Sequence, residues 1–283
     1  MQKQHLFGWM NKRVCLKSSQ FEISPVQNFD TAISEIIEHP RYDDWLEMPS
    51  GCTRFELPAT HYLEVDSTAI NDNLASLLIS VFGFLDGLNL KLCGEGHLHR
   101  TPHQLGTLVE FIPSGKDVEK VLDLVIAFHQ KHISQLQVIS LMIAAVHWYL
   151  TSQSYTHHFE QFAWQYTVLE NLVKLASTLT KRKFTDSRLS ELAGYYKVNL
   201  HVAFGDSEIA AKNAKALVQC RNKLMHEALW CDQPIGYAVS QKSYSMLRSL
   251  RRFNSQLILA SLEVKCRFLE ADDDRQTWPL AVL

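Results

Sequence analysis

The chain has 283 residues, enough to bury a sizeable core and to form two domains. Hydrophobic residues make up 46% of it, which excludes a disordered composition. The formal net charge of -2 hides an asymmetry: residues 1–117 carry 9 Lys and Arg against 15 Asp and Glu, and the remainder carries 19 against 15, so the second part is the better match for a polyanion.

Residues 1–16 mix Lys, His, Trp and Arg and lack the apolar core and small-residue cleavage site of a signal peptide. Strand is expected within residues 12–23, and a short helix over 29–38 stops before Pro40. Residues 53–57 and 62–65 alternate apolar and polar side chains around Pro58, as half-buried strands do. Residues 68–85 have helical apolar spacing, and Gly87 closes them because glycine accepts the left-handed conformation that ends a helix. Residues 88–98 alternate again. Residues 1–116 thus read as a small α+β domain, sensor or regulatory in role, with a boundary at the turn formers Pro113, Ser114, Gly115 and Lys116. Cys93, His97, His99 and His103 lie in one stretch, but no second ligand set with finger-like spacing accompanies them. No metal is assigned, and they read as solvated or core residues.

Past the boundary the pattern is helical almost without interruption. Helices are expected over 117–132, 135–151, 156–180, 187–198, 207–230 and 237–268, forming a helical bundle over 117–270. Residues 271–283 read as a frayed tail, acidic at Asp272, Asp273 and Asp274, with an apolar end that docks on the body or on another protein. The longest apolar segment, 138–150, is too short to cross a bilayer and contains His147, so no membrane span is expected. Six scattered Cys without a C-x-x-C pair suggest reduced thiols, and the expected location is the cytoplasm. No Walker-type loop, Gly-x-Ser-x-Gly or His-Glu-x-x-His is present, which leaves NTP hydrolysis, serine hydrolysis and zincin chemistry without support.

The stretch with the most chemistry is Cys220 to Glu227. It lies in a run, 207–230, without Gly or Pro and rich in Ala, Leu, Lys and Glu. At about 100° per residue, Leu217, Leu224 and Ala228 share one side, flanked by Cys220, Cys231, Met225 and Val218. Arg221 projects near the middle of this apolar face, where a cation is costly unless a carboxylate or a phosphate answers it. Asn222 and His226, spaced i and i+4, share a neighbouring face. From the residues alone, Arg221 closes a buried ion pair and His226 is a partly exposed helix residue.

Arg221-Asn222-x-x-x-His226, followed by Glu227, resembles the R-x4-H signature of HEPN (higher eukaryotes and prokaryotes nucleotide-binding) domains. The segment Phe-Ala-Trp-Gln-Tyr-Thr-Val-Leu-Glu-Asn-Leu, starting at Phe162, resembles the second long helix of that family, whose acidic residue reaches the motif Arg. The stretch Phe82-Gly-Phe-Leu-Asp-Gly is loosely similar to what precedes some bacterial members. The resemblance implies a mostly α protein, with a small N-terminal α+β domain followed by a HEPN-like bundle. It also implies metal-independent endoribonuclease activity without a cofactor, RNA as partner, and a homodimer. By the same likeness Arg221, Asn222 and His226 are the catalytic candidates and Glu170 a support for Arg221. A toxin or antiphage effector, with an antitoxin or sensor partner, is the expected setting. The alternative is a non-catalytic HEPN-like module that dimerises and binds RNA or a protein.

The chemistry suits these residue types. When a ribose 2'-hydroxyl attacks the adjacent phosphorus, one group removes its proton, another protonates the leaving 5'-oxygen, and a cation offsets charge on the phosphoryl oxygens. An imidazole is available in both forms near neutrality, which fits His226. Arg221 supplies a fixed charge and a planar fork, and Asn222 orients the phosphate, the ribose or the imidazole. On a regular helix Arg221 and His226 point about 140° apart, and one imidazole cannot be acid and base at once, so a two-fold partner is expected to complete the site. Lys223 and the run Lys181, Arg182 and Lys183 are further candidates for RNA contact, as are Arg248, Arg251 and Arg252, although solvated charged faces are the commoner explanation of such clusters.

Overall fold

The computed structural model describes residues 4–37, 54–55, 59–65, 72–92, 98–99, 110–153, 155, 157–184, 188–200, 204, 207–230, 232–235, 241–270 and 278–283. The protein is mostly α, with eight helices among the described residues and a small antiparallel sheet. The chain divides into two compact units. One comprises Met1–Leu108 with Pro113–Ser134, the other Val109–Ile112 with Gln135–Leu283.

In the first unit, β1 (His5–Gly8), β2 (Leu16–Lys17), β3 (Phe21–Pro25), β5 (His61–Val65) and β6 (Lys91–Leu92) form a sheet in the order β2-β3-β5-β1-β6. A separate pair joins β4 (Arg54–Phe55) to β7 (Leu98–His99). The register sets Ile23 opposite Leu63 and Phe21 opposite Val65. All four are buried, while their neighbours Glu22 and Glu64 face outward, the period-two pattern of a sheet covered on one side. Strand β1 was not anticipated, because its short apolar run sits among polar and basic residues. Helix α1 (Phe29–Ile37) follows β3, and α2 (Asp72–Asp86) buries nearly every residue from Leu74 to Leu85. Gly87 closes α2 with φ 73°, and the Leu88 amide donates to the Gly83 carbonyl at 2.7 Å, so the expected glycine stop is present.

Helix α3 (Gly115–Lys131) opens on a capping box. Ser114 Oγ accepts from the Asp117 amide at 3.2 Å, and the Asp117 carboxylate accepts from the Ser114 amide at 2.9 Å. Its place corrects the expected division at 116/117. Val118, Val121, Leu122 and Val125 are buried, α3 packs on α2, and Ser18 Oγ donates to Asp123 at 2.8 Å. This helix therefore completes the sheet-containing unit.

The second unit is built on α4 (Leu136–Ser152), α5 (His158–Thr180) and α8 (Gln241–Ser261), with α6 (Arg188–Tyr196) and α7 (Ser207–Glu227) against them. A buried polar knot ties the first three. The Gln165 side-chain amide donates to Ser152 Oγ at 2.6 Å, and Asn254 Nδ2 reaches both the backbone carbonyl and Oε1 of Gln165 at 2.8 Å.

Two helices end earlier than their periodicity implies. Helix α7 stops at Glu227, not 230, because Ala228 adopts φ 54° and turns the chain into the hairpin of β9 (Leu229–Trp230) with β10 (Gln233–Pro234). The gain is burial of Trp230, whose ring centroid lies 4.9 Å from that of Phe162. Helix α8 stops at Ser261, not 268. Glu263 takes φ 61°, the Val264 amide donates to the Leu259 carbonyl, and a 3-10 turn over Arg267–Glu270 brings Phe268 back onto Phe111, 5.2 Å away.

The chain's end is not frayed over residues 278–283. Strand β11 (Trp278–Pro279) pairs in parallel with β8 (Phe111–Ile112), Cys266 bridges Val282, and Leu280 is fully buried. Behind β8, Glu110 accepts a 3.4 Å hydrogen bond from Tyr149 and lies 3.5 Å from Arg251 Nε. Of the residues singled out in the sequence, Cys93, His97, His103, Cys231 and Asp272 to Asp274 lie outside the described ones.

Candidate functional site

The motif helix α7 turns Leu217 and Cys220 into the core and leaves Leu224 half-buried. Its expected apolar face is only partly used, because Val218 and Met225 stay 37% and 62% exposed. Arg221 lies at the border between these regions, half-buried, not sealed within the core. Its Cζ stands 5.8 Å from the centroid of the Tyr166 ring, and its Nη1 donates to Asn222 Oδ1 at 3.0 Å. A guanidinium over a ring at this range gains attraction from the ring quadrupole, about 0.5–1 kcal/mol at an exposed site. Asn222, His226 and Glu227 are exposed, so the amide and the imidazole of the motif are open to a ligand.

Glu170 does not meet Arg221. It pairs instead with Arg188, Nη1 to Oε1 2.9 Å, and Arg188 also donates through Nη2 to the Tyr166 hydroxyl. The reason is visible along α5. Tyr166 and Glu170, i and i+4, share a face, and the tyrosine ring lies between α5 and the Arg221 guanidinium. Burial is the main cause that pushes the Tyr166 phenol above its ordinary pKa. The guanidinium of Arg188 opposes this, the charge of Glu170 adds to it, Arg221 again opposes, and a hydrogen bond with Glu170 adds further. The phenol therefore remains protonated at neutral pH. Tyr166 and Arg188 were not singled out by sequence. The usable signal was the i, i+4 spacing of Tyr166 and Glu170, which places a carboxylate one turn from an aromatic ring.

Of the basic candidates, Lys223 is engaged by the Asp232 carboxylate in an exposed ion pair, and that hydrogen bond followed by the attached charge raises its ammonium pKa. Lys181 ends α5 with φ 56°, and exposed Arg182 and Lys183 follow it. Fifteen residues of helix separate Lys181 from Tyr166, about 22 Å at 1.5 Å per residue. The basic run is thus not beside Arg221. Arg251 and Arg252 are largely buried, the first against Glu110 and the second over the Phe268 ring at 5.8 Å, so neither is a solvated contact.

Nearer the start of α7 a cleft of about 80 Å3 is lined by Phe204, Asn213, Ala216, Ser245, Met246 and Ser249. Among the described residues no group of three or more His, Cys, Asp and Glu is arranged to hold a metal ion. None of the helices there is long and apolar enough to cross a membrane. Comparison with protein-family models, with curated proteins and with solved structures finds no match to this chain.

Proposed function

We propose that this protein is a metal-independent endoribonuclease of the HEPN type, acting as a homodimer through its second, helical unit. The observation that carries the reading is Arg221. It is half-buried on α7, hydrogen-bonded among the described residues only to a neutral amide, and five residues from the exposed His226. A cation held this way lacks the carboxylate that a structural ion pair would supply, and an RNA phosphate fits that requirement. Arg221 offsets charge on the phosphoryl oxygens, Asn222 orients the phosphate or the ribose, and His226 moves the proton. Since the two side chains diverge by about 140° on a regular helix, the symmetric copy of α7 supplies the second imidazole. The sheet-containing unit then serves as sensor or restraint for the cutting unit, in keeping with a toxin or antiphage effector.

A second reading is a non-catalytic module that dimerises and binds RNA or protein. Met225 and Val218, exposed on either side of Arg221, favour a protein-covered motif face over an open one. The test is cleavage by purified wild type in the presence of a chelator. The expected products end in 2',3'-cyclic phosphate, with a loss of at least about a hundredfold in His226→Ala and Arg221→Ala. A wild-type dimer that binds RNA and leaves it intact, with or without its activating partner, refutes the enzymatic reading in favour of the second.

A further inference from the structure

Arg221 is held by residues outside its own motif. Tyr166 and Glu170 stand one turn apart on α5, and Arg188 opens α6. Arg188 grips both, with an ion pair of 2.9 Å to Glu170 and a hydrogen bond to the Tyr166 hydroxyl. The protonated phenol accepts from Arg188 and has its own hydrogen to direct toward Glu170. Two side chains, Glu170 on the ring's own helix and Arg188 on α6, therefore fix the position of the Tyr166 ring. Both guanidiniums lie at nearly the same distance from its centroid, 5.7 Å for Arg188 and 5.8 Å for Arg221. Their roles differ: Arg188 is bonded to the hydroxyl, whereas the hydrogen bond of Arg221 goes to Asn222 and its contact with Tyr166 is through the ring.

A direct carboxylate partner would occupy two N–H groups of Arg221 and cancel its charge. A ring does neither. The π face orients a guanidinium through its quadrupole, and among the described residues only the one N–H given to Asn222 is taken, which leaves the remaining donors of the fork and the positive charge for an oxyanion.

We infer that Tyr166 is the platform that orients Arg221 toward an RNA phosphate, and that Arg188, anchored by Glu170, is the positioning residue that fixes this platform. The inference rests on the ribonuclease reading above and assigns Glu170 an indirect role within it. It also predicts that the ring matters more than the hydroxyl: Tyr166→Phe keeps a surface under Arg221, whereas Tyr166→Leu removes it.

Two measurements on the full chain separate the possible failures. Side-chain NMR of arginine-labelled protein, with the Arg221 signal assigned through Arg221→Lys, reads the platform without any RNA. The expected result is a ring-current shift of the Arg221 Nε–H that survives in Tyr166→Phe and disappears in Tyr166→Leu. Fluorescence anisotropy with an uncleavable 2'-O-methyl oligoribonucleotide, together with kcat and KM on the cleavable one, reads the function. Tyr166→Leu and Arg188→Gln are expected to weaken RNA binding about fivefold and to lower kcat as well, with Tyr166→Phe losing less than either. Urea midpoints of the variants identify any loss that is merely a loss of folding. An Arg221 signal without a ring-current shift, or one indifferent to Tyr166→Leu, overturns the platform. A shift that is present while folded Tyr166→Leu binds and cuts RNA like wild type overturns its role in the site. Wild type that neither binds nor cuts RNA while the shift is present sinks the ribonuclease reading, and with it the assignment to a phosphate.

Discussion

The sheet-containing unit carries an acid-sensitive group at its centre. His61 is fully buried on β5 between the rings of Phe7 and Phe29, 5.7 Å and 5.5 Å away by centroid. Its Nε2 accepts from the Val14 amide at 3.2 Å, and its Nδ1 lies 3.0 Å from Thr60 Oγ1, which itself accepts from the Met10 amide. Nε2 is thus used as an acceptor, which only the neutral imidazole can be. Burial foremost, and then the charge of Lys12, press the imidazole pKa down to about 4, from an ordinary value near 6.5. Above pH 6.5 the ring is neutral in both folded and unfolded chains and has no effect on pH dependence. As pH falls below 6.5 the unfolded chain takes up a proton that the folded one refuses, so stability is lost. Linkage puts the loss at about 2 kcal/mol by pH 5 and about 3 kcal/mol below pH 4. His61→Gln keeps an acceptor near the Val14 amide but cannot titrate. Urea unfolding of wild type and variant between pH 7.5 and 5 is the assay, and the stability difference between them should shift by about 2 kcal/mol in favour of the variant as the solution is acidified. Parallel stability curves over that interval would refute the argument.

Gly83→Ala places a Cβ 2.2 Å from the Leu88 carbonyl oxygen, a backbone atom that cannot easily yield, and should cost about 1–3 kcal/mol in urea unfolding. Gly194→Ala, in α6 where a Cβ meets nothing within 4 Å, should instead stabilise by about 0.5–1 kcal/mol, and equal effects at the two sites would contradict the packing. Asn254→Leu leaves the backbone carbonyl and side-chain oxygen of Gln165 without the donor they share, for an expected loss of about 1–3 kcal/mol by chemical denaturation. Leu280→Ala empties a fully buried site under the docked tail and should lower stability by about 2–5 kcal/mol, with faster proteolysis at the C-terminus; an unchanged melting temperature would mean that the tail contributes nothing. Under the proposed ribonuclease function, replacing Lys181, Arg182 and Lys183 together by Ala should reduce the salt dependence of RNA binding and leave kcat unaltered, because the run is about 22 Å from Tyr166 along α5. A fall in kcat would place the scissile phosphate elsewhere.

Local pattern was sufficient for the helices themselves. The starts of α3 to α7, the approximate lengths of α3 to α6, the glycine stop of α2, and the alternation of β5 all follow from which side chains are apolar and at what spacing. The presence of Arg221, Asn222 and His226 on one helix was legible for the same reason. What periodicity reports is that a face is apolar, never which other face it will meet. Helix α3 reads like its successors in sequence but packs against α2 and the β2-β3 turn.

The early ends of α7 and α8 were hidden because they occur at Ala228 and Glu263, without a glycine. A non-glycine residue in the left-handed conformation costs roughly 1–2 kcal/mol, and at these two positions burial of Trp230 and Phe268, contacts with distant parts of the chain, offsets it. Around Arg221 the division is the same. Sequence put Glu170 on a neighbouring helix, but only the folded arrangement decides that Arg188 claims the carboxylate and that a tyrosine ring lies beneath the guanidinium, since three helices must meet before those side chains have one another as choices.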